Sequence, residues 1–281
     1  MKLPTLMLLV GLVLSPAARA QAQSANPAAA ACDPALLDIA GNKIWADRQG
    51  SGSITVVFES GFGNDSSVWA SITPRLRAAG VQTFVYDRAG MGKSSINTAT
   101  PYSVDNDVHI LRTTLTACGV NGPLVMVGHS YGGGMALLAA SQDPHIRGVV
   151  LLDAVVPKVW ANGELEKNLA AMRAQYDDIR KQAPDLAKVA IPYAEALPQT
   201  VQRLDGVAVA ADLPIIDIVA EKGMNNPAAA QTWRDAHLAF TAGNPNRDYI
   251  LATGSSHKVM TDQPDLVVNS ILRMLNRISK P

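Results

Sequence analysis

Residues 123–140 read Pro123-Leu124-Val125-Met126-Val127-Gly128-His129-Ser130-Tyr131-Gly132-Gly133-Gly134-Met135-Ala136-Leu137-Leu138-Ala139-Ala140. A short apolar run over Pro123–Val127 predicts a buried strand, and Met135–Ala140 predicts a buried helix. Between them stands G-x-S-x-G, with glycine two residues before and two after Ser130. A sharp strand-to-helix turn brings neighbouring backbones close, which is why glycine flanks the serine. Such a turn lifts the hydroxyl above a sheet and sets it at a helix N-terminus, where free N–H groups favour developing negative charge.

Working outward, strands and helices alternate. Strands are expected at Ile54–Glu59, Gln82–Tyr86, Gly148–Leu152, Pro214–Val219 and Tyr249–Thr253. Helices are expected at Trp69–Gly80, Val104–Ala117 and Leu266–Ile278, each with an apolar stripe at helical spacing. Apolar strands separated by helices predict a mostly parallel sheet covered on both faces, an α/β fold. The alternation lapses between Pro157 and Asp212. That stretch is helix-rich over Glu164–Gln182, then punctuated by Pro184, Pro192 and Pro198. Its length favours a helical cap over 157–212 rather than ordinary crossover helices. The core is then 44–156 and 213–281.

Composition agrees with a packed domain. Of 281 residues, 48% are hydrophobic and 17% charged, with 24 Lys plus Arg against 24 Asp plus Glu. Balanced charge without a basic run gives no footprint for nucleic acid. No apolar stretch is long enough for an integral membrane span. At the N-terminus, Lys2, an apolar run over Leu6–Leu14, and Ala18-Arg19-Ala20 follow the order of a secretory signal peptide. Removal after Ala20 leaves a flexible lead-in, read as 21–43, and a periplasmic or secreted protein. Cys32 lacks the upstream Leu expected of a lipid-anchored cysteine. Cys32 and Cys118 are the sole cysteines. An oxidising compartment permits their pairing, and spacing alone leaves it open.

A serine hydroxyl needs a base. His257 follows the last strand in Thr253-Gly254-Ser255-Ser256-His257, where a loop turns back over the strand ends. His109 reads as facing solvent or a helix neighbour, His145 as lying in a polar turn before a strand, His129 as packed under the turn, and His237 as a surface or lining residue. The third member is a carboxylate that orients the imidazole. Asp153, ending the strand after the Ser130 helix, is preferred, with Glu221 at the next strand end as the alternative. Asp217 is mid-strand and reads as structural. Two backbone donors complete such a site: the N–H of Tyr131 and that of Phe62, in Ser60-Gly61-Phe62-Gly63. Gly92-Lys93-Ser94 fails as a phosphate loop because Asp87 stands where its first glycine belongs. Gly61-Phe62-Gly63 lacks the third glycine of a dinucleotide turn, and no H-E-x-x-H or C-x-x-C implies a metal. No cofactor is expected.

Four blocks resemble the α/β-hydrolase superfamily over Ile44–Ile278. They are Glu59-Ser60-Gly61-Phe62-Gly63, Tyr86-Asp87-Arg88-Ala89-Gly90-Met91-Gly92-Lys93-Ser94, Gly128-His129-Ser130-Tyr131-Gly132-Gly133, and Ser256-His257. The second is similar to the family's D-R-x-G-x-G-x-S turn, and the order Ser130, Asp153, His257 fits the family's order. Many members carry an Asp in a G-x-x-D turn before the His strand. Here that turn reads Ala220-Glu221-Lys222-Gly223, which moves the acid to Asp153, as in some members. The resemblance implies a serine hydrolase acting on a small-molecule carboxylic ester or related acyl bond. Acyltransfer, perhydrolysis and carbon–carbon bond hydrolysis use the same groups, and a binding protein on the same fold is a further alternative. Trp160, Met172, Tyr176 and Tyr193 offer apolar surface for a substrate on the cap.

Overall fold

The computed structural model describes residues 32–160, 163–223 and 227–279. The expected signal peptide, and the lead-in up to Ala31, lie outside the described residues. Among the described residues eight strands form one sheet: β1 (Ala35–Ile39), β2 (Asn42–Gln49), β3 (Thr55–Glu59), β4 (Gln82–Tyr86), β5 (Leu124–His129), β6 (Ile146–Leu152), β7 (Ile215–Lys222) and β8 (Arg247–Ser256). Their order is β1-β2-β4-β3-β5-β6-β7-β8. The β1–β2 and β2–β4 pairings are antiparallel and the rest are parallel. The fold is therefore the mostly parallel α/β arrangement expected. The lead-in reading over 21–43 is corrected at its end, since Ala35–Ile39 is already a sheet strand. That strand lies at the sheet edge and only Ile39 is fully buried in it, so it carries little of the apolar signal that marks the central strands.

Helices cover both faces. Alternate residues of one strand feed opposite cores: Val57 faces one, Val56 and Phe58 the other. The first core receives α2 (Val104–Ala117), α3 (Tyr131–Ala140) and α7 (Pro227–Thr241). The second receives α1 (Thr73–Ala78), α8 (Val259–Asp262) and α9 (Pro264–Ile278). The helix expected over Trp69–Gly80 is shorter, beginning at Thr73 after a 3-10 turn at Ser66–Trp69. Pro74 lacks the N–H that would continue a helix from Ala70 and suits a first turn instead.

Between β6 and β7 stand α4 (Glu164–Arg173), α5 (Tyr176–Gln182) and α6 (Pro184–Asp205). Pro192 and Pro198 do not break the chain as their spacing suggested; both lie inside the 22-residue α6. Each removes one helical hydrogen bond. The buried stripe Val189, Tyr193, Leu197, Val201 and Leu204 holds the helix regardless. Cys32 and Cys118 form a disulfide, with both residues buried. It joins the chain ahead of β1 to the C-terminus of α2.

Candidate active site

The parallel strands β3, β5, β6, β7 and β8 all end on one side of the sheet, where open α/β sheets bind their ligands. At the end of β5, Ser130 adopts φ 53° and ψ −123°. Left-handed geometry at a non-glycine residue is a strained conformation that the surrounding structure must enforce. The packing explains how. A Cβ at Gly128 would meet the Gly132 carbonyl at 2.6 Å, and one at Gly132 would collide with the carbonyls of Glu59 and Ser60. The Ser130 N–H donates to Leu152 O at 3.1 Å, and the Val155 N–H donates to Ser130 O at 2.9 Å. The turn is thus bolted to the end of β6, beside Asp153.

Asp153 is wholly buried, at φ 44°. Its Oδ2 accepts from His257 Nδ1 at 2.6 Å. Its Oδ1 accepts from the Ala220 N–H at 3.0 Å and from Trp233 Nε1 at 2.9 Å. A side chain at Gly223 would collide with Oδ2. Glu221, the alternative acid, faces elsewhere: its Oε2 accepts from the Gly254 N–H at 2.7 Å. The structure therefore brings His257 to Asp153 and not to Glu221.

His257 is about one-third exposed. Its carbonyl accepts from His129 Nε2 at 2.8 Å, and the two rings lie 4.6 Å apart. The residue before Ser130 thus holds the His257 loop over the turn. Because a carbonyl can only accept, the His129 proton sits on Nε2, and Nδ1 is a buried acceptor next to Gly61. Burial, with His257 beside it, pushes His129 down to about 4, so it stays neutral in ordinary buffers. Ser130 Oγ makes no hydrogen bond to the imidazole among the described residues; such contacts commonly close only with substrate in place.

Tyr131 opens α3, so its N–H belongs to the unpaired first turn of that helix. Phe62 lies in the turn after β3, its ring stacked 3.7 Å from Tyr193 of α6. That turn is held from behind. Arg88, buried, donates to the carbonyls of Ser60 and Gly61 and to Glu59 Oε1. Trp69 Nε1 donates to Ser60 Oγ at 2.9 Å. With two carbonyls pulled toward the guanidinium, the following N–H groups are left for the other side. Tyr86 O–H donates to Glu59 Oε2 at 2.6 Å. Burial raises the Glu59 carboxyl to about 7 against the pull of Arg88 and Tyr86.

Several of these partners carried no sequence signal. Glu59 and Arg88 stood within quoted blocks without a stated role. Asp107, with its carboxyl raised by burial, accepts at 2.9 Å from both Tyr102 and Tyr131 hydroxyls. His237 corrects its reading as a surface or lining residue: it is fully buried, with Nδ1 2.8 Å from Asp217 Oδ2. Burial lowers its basicity, but the Asp217 carboxylate outweighs that and leaves it above the usual histidine range. The signal existed, since Ala230, Trp233, His237 and Thr241 share one face of α7 at helical spacing. His109 and His145 are exposed. Of the side chains expected to offer apolar surface, Tyr193 reaches Phe62 and Trp160 reaches Trp233, whereas the Tyr176 hydroxyl donates to Glu195. Among the described residues no cluster of three or more His, Cys, Asp or Glu is placed to hold a metal ion. None of their helices is long and apolar enough to cross a membrane.

The arrangement provides a hydroxyl on a strained turn and an imidazole hydrogen-bonded to a buried carboxylate. The chain is 29% identical over 230 residues to the uncharacterized protein YqjL of Bacillus subtilis, covering 78% of this chain and 83% of that one. It is 31% identical over 113 residues to the monoglyceride lipase of Saccharomyces cerevisiae, covering 37% of this chain and 36% of the lipase. The haloalkane dehalogenase DatA from Agrobacterium tumefaciens C58 superposes with a TM-score of 0.65 at 20% identity, over 87% of this chain and 96% of DatA. The model of the alpha/beta hydrolase fold matches residues 54–255. With eight strands in that order and a match over most of its length, the chain belongs to the alpha/beta hydrolase fold family.

Proposed function

We propose that this hydrolase cleaves a carboxylic ester or related acyl bond through an acyl-enzyme on Ser130, His257 and Asp153. One observation carries the reading: a strained Ser130 follows β5, and a His257 hydrogen-bonded to the buried Asp153 follows β8, on the same side of the sheet. Ser130 Oγ attacks the carbonyl carbon while His257 Nε2 takes its proton. Negative charge on the former carbonyl oxygen is met by the N–H groups of Phe62 and Tyr131. His257 then gives the proton to the departing alcohol oxygen, leaving an acyl ester on Ser130. Water, deprotonated by His257, attacks that ester, and the proton returns to Ser130 as the acid departs. Asp153 fixes the imidazole tautomer throughout and stabilises the imidazolium.

Dehalogenase chemistry, suggested by DatA, requires a carboxylate nucleophile; Ser130 stands at that place here. Acyltransfer, perhydrolysis and carbon–carbon cleavage share the triad and differ in the group that attacks or leaves. The test is fluorophosphonate labelling followed by an ester chain-length series, with amide, thioester and diketone substrates alongside. A single adduct on Ser130 and turnover of esters fit the proposal. Correctly folded protein that takes no label points to a binding role and overturns it.

Export is part of the same proposal. The charged, apolar, small-residue order of residues 1–20 supports it, as does the Cys32–Cys118 disulfide, which suits an oxidising compartment. Mass spectrometry of the N-terminus in periplasmic and medium fractions tests it; a chain retained whole in the cytoplasm overturns it.

A further inference from the structure

Helix α7 packs on the sheet beside the site and is tied to it at two levels. Trp233 Nε1 donates to Asp153 Oδ1 at 2.9 Å, and one turn later His237 Nδ1 meets Asp217 Oδ2 on β7 at 2.8 Å. Trp233 is 5% exposed, and its ring packs edge-on to Trp160 at 5.8 Å. His237 and Asp217 are both without solvent exposure. A buried pair of this kind fixes the register of a helix, because any slide breaks it in a place water cannot reach. The indole N–H is therefore held at one height against the Asp153 carboxylate. Asp153 also sits in a strained left-handed turn that carries no intrinsic preference for this pose.

We infer that Trp233 is a positioning residue for the triad acid, setting both where the Asp153 carboxylate points and how strongly it draws the His257 proton. This rests on the triad reading above. Asp153 divides its acceptor capacity, with Oδ1 taken by Trp233 and Ala220 and Oδ2 left for His257. Removing the indole N–H concentrates negative charge and frees the carboxylate to rotate. The imidazolium beside it is then held more tightly, and His257 must be neutral to act as base. The acid limb of the kcat/KM profile therefore moves to higher pH, and turnover falls because the ring is less well oriented. Other titratable or charged groups that feel this carboxylate are His129, His237 and Tyr249, with Asp217 paired to His237 and Arg234 near Tyr249. Among the described residues, Trp233 and His257 are the side chains that donate hydrogen bonds to the Asp153 carboxylate.

The experiment compares the wild-type chain with Trp233→Phe and with β-(3-benzothienyl)alanine incorporated at position 233, which keeps the bicyclic shape and replaces N–H by sulfur. Asp153→Asn is the reference. The expected result for the isostere is a fall in kcat/KM of about 10-fold and an acid limb raised by about half a pH unit. Its melting temperature stays near wild type, and the downfield His257 Nδ1–H proton resonance is displaced. An isostere with wild-type rate, pH profile and resonance overturns the inference, even where Trp233→Phe is slow or unfolded, since the ring then acts by packing alone. In that outcome a crippled Asp153→Asn leaves the triad reading standing. A fully active Asp153→Asn removes both.

Discussion

His129 Nε2 donates to the carbonyl oxygen of His257 at 2.8 Å, across 128 positions of sequence. The bond joins the residue before the strained serine to the loop that carries the imidazole, so the two halves of the site share one anchor. It also fixes His129 as a neutral ring, since its other nitrogen is buried.

That neutrality has a cost in acid. His129 titrates at about 4 in the folded chain against an ordinary 6.5. Between those values the unfolded chain binds a proton that the folded chain does not, so stability rises with pH and is lost as pH falls from 6.5 toward 4. The loss attributable to this ring is on the order of 3 kcal/mol. Urea midpoints measured from pH 7 to 4 should fall steeply for wild type and less steeply for His129→Gln.

Ser130→Ala and His257→Ala should each lower kcat by several orders of magnitude, and the double variant should lose little more, because the two act as a unit. Steady-state kinetics on a good ester, with fluorophosphonate labelling, measure this. A Ser130→Ala chain with wild-type turnover is incompatible with the acyl-enzyme.

Asp153→Asn and Glu221→Gln separate the two carboxylates. The amide at 153 presents the wrong partner to His257 Nδ1, with an expected loss in kcat on the order of 10⁴. At 221 the change touches only the Gly254 N–H, and kcat should stay within a few-fold. The opposite ranking would assign the acid to Glu221.

Arg88→Met should both destabilise and slow the protein. It leaves the buried Glu59 carboxyl without its cation, at a cost of about 3–5 kcal/mol, and releases the carbonyls of Ser60 and Gly61. Glu59→Gln in the same chain should restore part of the stability and none of the rate. Denaturant titration and kcat measured side by side distinguish the two effects.

Reducing the Cys32–Cys118 disulfide should lower stability by about 2–4 kcal/mol, since the bridge spans 86 positions and its loss frees a long loop in the unfolded chain. Thermal melts with and without reductant should show a clear drop. Unchanged melts would mean that the bridge contributes nothing.

Central elements were legible because their signals are local. The apolar runs of β3, β4 and β5 mark strands buried on both faces, and α2 fell at Val104–Ala117 because Ser103 caps it and its apolar stripe is continuous. The edge strand β1 was illegible because half of it faces solvent, and α6 was misjudged because its prolines are outweighed by packing that only the sheet supplies. At the site, residue types and chain order singled out Ser130 and His257. His237 was misplaced because a histidine's burial depends on a partner from a distant strand.

Sequence alone determined the turn at Ser130, since Gly128 and Gly132 are demanded by backbone contacts within and beside that segment. It determined the α/β alternation for the same reason: strand and helix periods are written in neighbouring residues. Tertiary structure alone decided which carboxylate meets His257, that Arg88 holds the carbonyls of Ser60 and Gly61, and that α7 grips Asp153 through Trp233. These depend on how separate strands end relative to one another, a distance of a few ångströms that no local pattern encodes.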